Sequence, residues 1–351
     1  MEIKTRCLPL GALPYESIQH ATNMMAKLFP ICPFLPFFPL IDSSDSAEKR
    51  TLCGMPGIKI EPEKISIKAG TKLYDKEMSN LDKVFNSPSI ERLEQYSFEN
   101  PFFDKYLNII KKFKSHNASM NLTGPFTISQ LLMNAAKEQM LADKNYRKLF
   151  TQSVCVKALW VIEKIKEYCP TTKPIIILEE PLLGRLGVVK RENENITTEI
   201  VTNMLARVIE KIHNAGAIVG IQCFDKCDWT VPINAGADLI SFDAYNNPNN
   251  INIIPEQITE FIQRGGMINW AIFPAISENH IKSLTVDYLA KRLSTTMEGL
   301  FLAGVPMDLI YKSAMVSTNG NLDKLPVMFA EKALLITTQL ASRIAVRSHG
   351  R

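Results

Sequence analysis

Residues able to do chemistry gather in seven short stretches of the chain. They are Gly11–Tyr15, Asn121–Thr127, Glu179-Glu180-Pro181, Gln222-Cys223-Phe224, Asp243-Ala244-Tyr245, Trp270–Pro274 and Ser317–Gly320. Each follows or ends an apolar run that reads as a buried strand. Parallel strands deliver their C-terminal ends to one rim, and in α/β folds that rim binds ligands. The densest stretch is Val219–Tyr245, where Cys223, Cys227, Asp225, Asp228 and Asp243 crowd together. A glutamate pair at a strand end, Glu179-Glu180, suits a carboxylate that holds a substrate amine or works as a general acid or base. The competing role for either glutamate is to cap the following loop. Asp243 carries the same two readings, its structural one being the N-cap of the next segment. Tyr15 and Trp270 suit a pocket lining, and equally a core. Arg185 and Arg191, after Glu180, suit a carboxylate clamp or solvent.

The elements that must position these groups alternate. Cys7–Leu10 reads as a first strand and Glu16–Leu28 as a helix with Ile18, Ala21, Met25 and Leu28 on one side. Pro30–Pro39 alternates proline with bulky apolar residues and reads as an extended buried segment. Gly57–Gly70 has the alternation of a β-hairpin, and Lys72–Lys114 reads as helical, broken near Pro88 and Pro101. From Ala118 onward the order is regular. The predicted strands are Met120–Thr123, Pro174–Leu178, Ile218–Phe224, Leu239–Asp243, Met267–Phe273 and Leu309–Val316. The predicted helices include Thr127–Leu141, Asn145–Tyr168, Thr198–Ala215, Pro255–Arg264, Val286–Ala303 and Pro326–Val346. Strand–helix alternation with right-handed crossovers implies a parallel sheet. About eight such units predict one α/β domain over residues 1–351, a TIM (β/α)8 barrel, with about 57–115 as an excursion. An open doubly wound sheet is the second choice, and no glycine-rich phosphate loop supports it.

Composition narrows the function classes. The chain has 351 residues, 46% hydrophobic, with a net charge of +4. The charges are mixed, and the densest basic cluster, within Lys105–Lys114, reads as a solvated helix face, so nucleic acid is not an expected partner. Seven scattered cysteines are not a disulfide framework. The longest apolar run, Pro30–Ile41, carries four prolines and cannot span a bilayer as a helix. No secretory pattern opens the chain. The expectation is a soluble, cytoplasmic protein with a small-molecule substrate and no membrane partner.

Taken in order, the seven stretches resemble the superfamily of cobalamin-independent methionine synthase and uroporphyrinogen decarboxylase. The likeness is greatest to its short single-barrel members. These open with a Gly-Ser-Leu-Pro-His type segment and a Pro-aromatic-Pro segment. They continue with Gly-Pro-x-Thr, Asp-Glu-Pro, His-x-Cys, a Ser-Phe-Asp strand, Trp-Gly-x-x-Pro and a late Ser-Cys-Gly. The ordered set covers nearly the whole chain, although no single motif is specific. The resemblance implies a TIM barrel and methyl transfer to a small thiol or amino-acid-like substrate. In zinc-bearing members it implies a thiolate-activating metal held by the His, the Cys two residues on, the acid of the next strand and the late Cys.

This chain departs from that ligand set. Gln222 stands at the His position, Phe224 at the Cys position and Asn319 at the late Cys, while Asp243 stands for the acid. Amides are poor zinc ligands and a phenyl ring is none, so no zinc cofactor is expected in the family's geometry. A relocated site would draw on Cys223, Cys227 and Asp243. Ala12 and Tyr15 replace the Ser and His of the opening motif. Glu180 and Asp243 are the catalytic candidates. Gln222, Asn319, Glu179, Tyr15 and Trp270 are the substrate-binding candidates. Three functions stay open: a thiol methyltransferase, whose methyl donor or corrinoid partner the sequence does not name; a repurposed small-molecule-binding barrel; and a decarboxylase of the uroporphyrinogen type. The last would need cations near the first strand, where only Arg6 is present.

Overall fold

The computed structural model describes residues 3–9, 11–43, 45–61, 64–132, 140–275 and 278–348. Its strands are β1 (Phe34–Leu35), β2 (Ile58–Glu61), β3 (Lys64–Ile67), β4 (Asn117–Thr123), β5 (Lys173–Glu179), β6 (Ile218–Cys223), β7 (Leu239–Phe242), β8 (Met267–Phe273) and β9 (Ala314–Thr318). Seven of them form one curled parallel sheet in the order β1-β4-β5-β6-β7-β8-β9. Helices join successive strands, and the fold is mixed α/β and TIM-barrel-like. β2 and β3 pair antiparallel as the hairpin the sequence suggests, and the helices Lys72–Asn86, Ile90–Leu93 and Phe103–Phe113 follow it.

The sheet does not close as eight strands, which corrects the expected (β/α)8 barrel. Among the described residues, 6–9 reach one edge and 11–13 the other through isolated bridges, Cys7 to Val316 and Ala12 to Phe37. Leu8 N–H donates to Val316 O at 3.0 Å and Leu13 N–H to Phe37 O at 2.9 Å. Proline explains the gap. Pro9 interrupts the first segment, and Pro33 and Pro36 flank the two-residue β1. A proline has no N–H to give a ladder.

Helix ends follow side-chain chemistry. Thr197 caps Thr198–Asn214, its hydroxyl accepting from Ile200 N–H at 3.2 Å. That helix buries Val201, Met204, Leu205, Val208, Ile209 and Ile212 at helical spacing. Two expectations were displaced. The apolar run from Leu309 is a helix, Met307–Ser313, and β9 starts only at Ala314. Of the expected helix Thr127–Leu141, the structure has Pro125–Leu131 and a turn at Met140–Ala142, and 133–139 lie outside the described residues.

Strand alternation divides the buried side chains. One face of each strand joins a large core under the helices, including Met120, Ile176, Leu178, Ile221, Cys223, Phe242 and Trp270. The other face points into the curl of the sheet. Its lower part is a separate apolar plug of Leu8, Cys32, Ile175, Ile177, Ile218, Leu239 and Met315. Above the plug the inward positions turn polar. Among the described residues no helix is long and apolar enough to cross a membrane.

Candidate ligand site inside the sheet

The polar layer runs from strand to strand. Asn121 on β4, Glu179 on β5, Gln222 on β6, Ser241 on β7, Asn269 on β8 and Ser317 on β9 supply it. The ladder aligns Glu179 with Gln222, Gln222 with Ser241 and Ser241 with Asn269. Asn121 Nδ2 donates to Glu179 Oε1 at 2.5 Å. Asn269 Nδ2 donates to both Ser241 Oγ and Ser317 Oγ at 2.8 Å. Asn121, Ser241, Asn269 and Ser317 are buried, whereas Glu179 and Gln222 are half-buried at the mouth.

Two acceptors of this layer are left open. Gln222 Oε1 and Asn269 Oδ1 are buried and have no hydrogen-bond partner among the described residues. A buried carbonyl oxygen without a donor costs about 1–3 kcal/mol, so a ligand or water that supplies one is favoured there. Burial pushes the Glu179 carboxyl up to about 7, against the hydrogen bond from Asn121, while Glu48 raises it further and Arg50 lowers it. A carboxyl poised near neutrality can accept a cationic amine or exchange a proton.

Glu180 is held differently. Its side chain is fully buried, with Oε1 accepting from Phe126 N–H at 3.0 Å and Oε2 from Thr127 N–H at 2.6 Å. Burial pushes it up to about 7 as well, against those hydrogen bonds. It serves the free N–H groups at the start of Pro125–Leu131, the structural alternative to a catalytic role. A Cβ on Gly124 would meet Glu180 Oε1 at 2.1 Å, so only glycine leaves room for this carboxylate.

Asp243 is likewise occupied. Oδ1 accepts from Tyr245 N–H at 3.0 Å, Asn246 N–H at 2.9 Å and Asn319 Nδ2 at 3.2 Å, and Oδ2 from Asn246 Nδ2 at 2.7 Å. Asn319 in turn accepts from Ala275 N–H at 2.8 Å. The pair ties together the loops after β7, β8 and β9. Trp270 faces the helices, edge-on to Phe242 at 5.1 Å between ring centroids, and not the inner layer. Tyr15 packs on His20 at 4.8 Å and donates to Glu331 Oε1 at 3.3 Å, beside a cavity of about 840 Å³ outside the sheet.

The donor set does not fit the zinc of the resemblance. Gln222 offers an amide oxygen, Asn319 is committed to loop hydrogen bonds, and Asp243 has donors on both oxygens. The described residues contain no group of three or more His, Cys, Asp or Glu side chains placed to hold a metal, so Cys223, Cys227 and Asp243 do not assemble as one either.

Of the sequence candidates, the structure brings Glu179 and Gln222 together, and Glu180 beside them in sequence but facing a helix start. Ser241 and Asn269 lie outside the seven short stretches the sequence singles out, and Ser317 heads one of them without being named as a site residue. A signal for the layer is present on β4: Asn117, Ser119, Asn121 and Thr123 alternate with Ala118, Met120 and Leu122 in a strand covered by helices. Such alternation marks a polar interior where an all-apolar run would fill the sheet. The asparagine-rich loop 246–252 was also missed. Asn247 Nδ2 donates to Phe224 O at 3.2 Å and Asn250 Nδ2 to Asp225 O at 3.3 Å, joining this loop to the one after β6.

No family model matches the chain, and no curated protein does. Among solved structures it is similar to a B12-independent methionine synthase from Shewanella sp. W3-18-1 in complex with selenomethionine. Identity is 12%, over 72% of this chain and 69% of that one, with a TM-score of 0.47. It is also similar to a Bacteroidetes-affiliated GH5 cellulase, at 10% identity over 96% and 97% of the chains and a TM-score of 0.43. A chitobiase from Flavobacterium johnsoniae aligns at 8% identity over 99% of this chain and 53% of its own, with a TM-score of 0.35.

Proposed function

We propose that this chain binds a small, amino-acid-like molecule at the polar layer, with Glu179 receiving its amine and Gln222 and Asn269 accepting its remaining donors. The observation that carries the reading is the pair of unpartnered carbonyl oxygens, Gln222 Oε1 next to Glu179 in the ladder and Asn269 Oδ1 further along the same inward layer, together with a carboxyl raised to about 7. Such a site suits a ligand rich in N–H and O–H groups. Asn121 orients Glu179 through its 2.5 Å hydrogen bond. Asp243 and Asn319 shape the rim loops and contact no substrate in this reading. Glu180 keeps the turn after β5 fixed, so that Glu179 stays at the mouth.

Methyl transfer to a small thiol, which the ordered motifs suggest, is the finer alternative. It needs a group that makes a thiolate at neutral pH. Glu179 is the one group of the layer with a proton-accepting form near pH 7.

Calorimetric titration with L-homocysteine and L-methionine, alongside their analogues lacking the amine, tests the proposal. The expected result is binding that requires the amine and weakens at least ~10-fold in Glu179→Gln, the scale of one charge-assisted hydrogen bond lost. Equal binding of the amine-free analogues would overturn it. A metal assay on the same protein separates the alternative. One equivalent of tightly bound zinc, lost in Cys223→Ser or Asp243→Ala, would favour thiol methylation at a relocated metal.

A further inference from the structure

Thr123 ends β4 at the mouth of the curl. It belongs to the inward set of that strand with Asn117, Ser119 and Asn121, because Ala118, Met120 and Leu122 join the core under the helices. The ladder sets Thr123 directly across from Glu179, and Glu179 directly across from Gln222. Three inward side chains therefore stand side by side at one level on β4, β5 and β6.

The Thr123 hydroxyl is buried and has no hydrogen-bond partner among the described residues. Its backbone is held all the same. β1 pairs with β4 only as far as Met120, and beyond it the helix Ala47–Leu52 takes over that edge. Thr123 N–H donates to Thr51 Oγ1 at 2.9 Å, and Thr51 donates in turn to Ala47 O at 2.7 Å. A buried hydroxyl that makes no hydrogen bond costs free energy that a valine there would not. Packing alone gives no reason for a threonine at this position, whereas a ligand donor does.

Gln222 Oε1 is open in the same way on the other side of Glu179. Asn121 Nδ2 serves Glu179 Oε1, and no described residue donates to Oε2. Neighbouring strands lie about 4.8 Å apart, and side chains on the concave face of a curled sheet converge. A nitrogen seated over Glu179 then has the carboxylate beneath it and one acceptor on either side. Three acceptors around one point match the three N–H groups of a primary ammonium. A secondary ammonium brings two donors and a methyl group in place of the third, and a quaternary one brings none.

We propose that Thr123, with Glu179 and Gln222, forms a three-acceptor row that selects primary ammonium ligands over N-alkylated ones, a selectivity that rests on Glu179 receiving the ligand's amine. Thr123 is the member of the row that senses the third N–H. Loss of its hydroxyl removes the preference without removing the charge attraction of Glu179.

The test is calorimetric titration of the full chain with L-methionine, N-methyl-L-methionine and the amine-free analogue of methionine. Wild type should bind L-methionine at least ~10-fold more tightly than N-methyl-L-methionine, the scale of one hydrogen bond to a charged group. Thr123→Val should lose about that factor for L-methionine and bind the two amines within ~3-fold of each other, while Thr123→Ser, which keeps the hydroxyl, should stay within ~3-fold of wild type. Because the free hydroxyl has no partner, Thr123→Val should melt no lower than wild type, which separates lost binding from lost folding. The comparison of the two amines on wild type decides independently of any variant. Equal binding of both amines by wild type, or of L-methionine by wild type and a folded Thr123→Val, would overturn this selectivity and leave the amine at Glu179 standing. Equal binding of the amine-free analogue, or unchanged binding in Glu179→Gln, would overturn both.

Discussion

At the scale of single residues, two neighbouring glutamates show how local surroundings assign different work to one side-chain type. Glu179 points into the curl and meets one amide, whereas Glu180 points under a helix start and meets two backbone N–H groups. Truncating Glu180 to Ala leaves both N–H groups unserved in a buried place. The expected loss in a urea melt is about 2–4 kcal/mol, since each unserved buried donor costs about 1–3 kcal/mol. Glu179 makes a prediction in pH. Its folded value, about 7, lies above the ordinary 4.5. Its contribution is therefore fully present below pH 4.5 and is lost as pH rises through 7. Glu179→Gln removes that dependence. The stability of wild type relative to the variant should fall by something on the order of 3 kcal/mol between pH 4.5 and 8. Urea melts of both proteins at the two pH values check it. The sequence reading names Glu180, matched by the resemblance, as the catalytic candidate and Glu179 as a substrate-binding one. The doublet and its strand end were legible, but the direction of each side chain depends on register with β4 and β6.

Elements carry a second lesson, about proline. Prolines at 30, 33, 36 and 39 made the segment legible as extended and buried. They also remove the N–H groups that a full β1 would need, which is why alternation alone overstated the closure of the sheet. The structure compensates with side chains. Arg50 Nη2 donates to Asp45 Oδ1 at 2.9 Å and Pro36 O at 3.1 Å, and its Nη1 to Leu35 O at 3.3 Å. Its guanidinium stacks 4.1 Å from the Phe37 ring centroid. Asp45 also accepts from Phe38 N–H at 2.9 Å and Asn100 Nδ2 at 3.0 Å. Both partners of the ion pair are buried. Arg50→Ala strands the Asp45 charge, and an unfolding curve should show a loss of about 3–5 kcal/mol. The double variant with Asp45→Asn should recover part of it. The misplaced strand at Leu309 has a different origin. A short apolar run has no period that separates a helix from a strand, and Pro306 at the N-cap decided for a helix.

For the molecule as a whole, the interior of the sheet is graded from an apolar plug to a polar mouth. A ligand that binds only the folded chain should raise its melting temperature in proportion to the logarithm of its concentration. That rise should also depend on pH. A cationic amine binds the ionised Glu179, so below pH 7 each binding event must expel a proton. Apparent affinity should fall about tenfold per pH unit there, and level off above pH 7. The outline of the fold and the rim were legible because both follow from local periodicity. The inner layer was not, because it joins six strands that are distant in sequence and aligned only by register.

The central claim concerns the Glu179 carboxyl, and carbon-13 NMR titration of that carboxyl, with and without L-methionine, reads it directly. The account predicts a midpoint near 7 in the free protein, as burial dictates, and a fall of at least ~1 unit when the amine is bound, since a paired cation favours the charged form. A midpoint in the ordinary carboxylate range, or one that does not move with ligand, would contradict it.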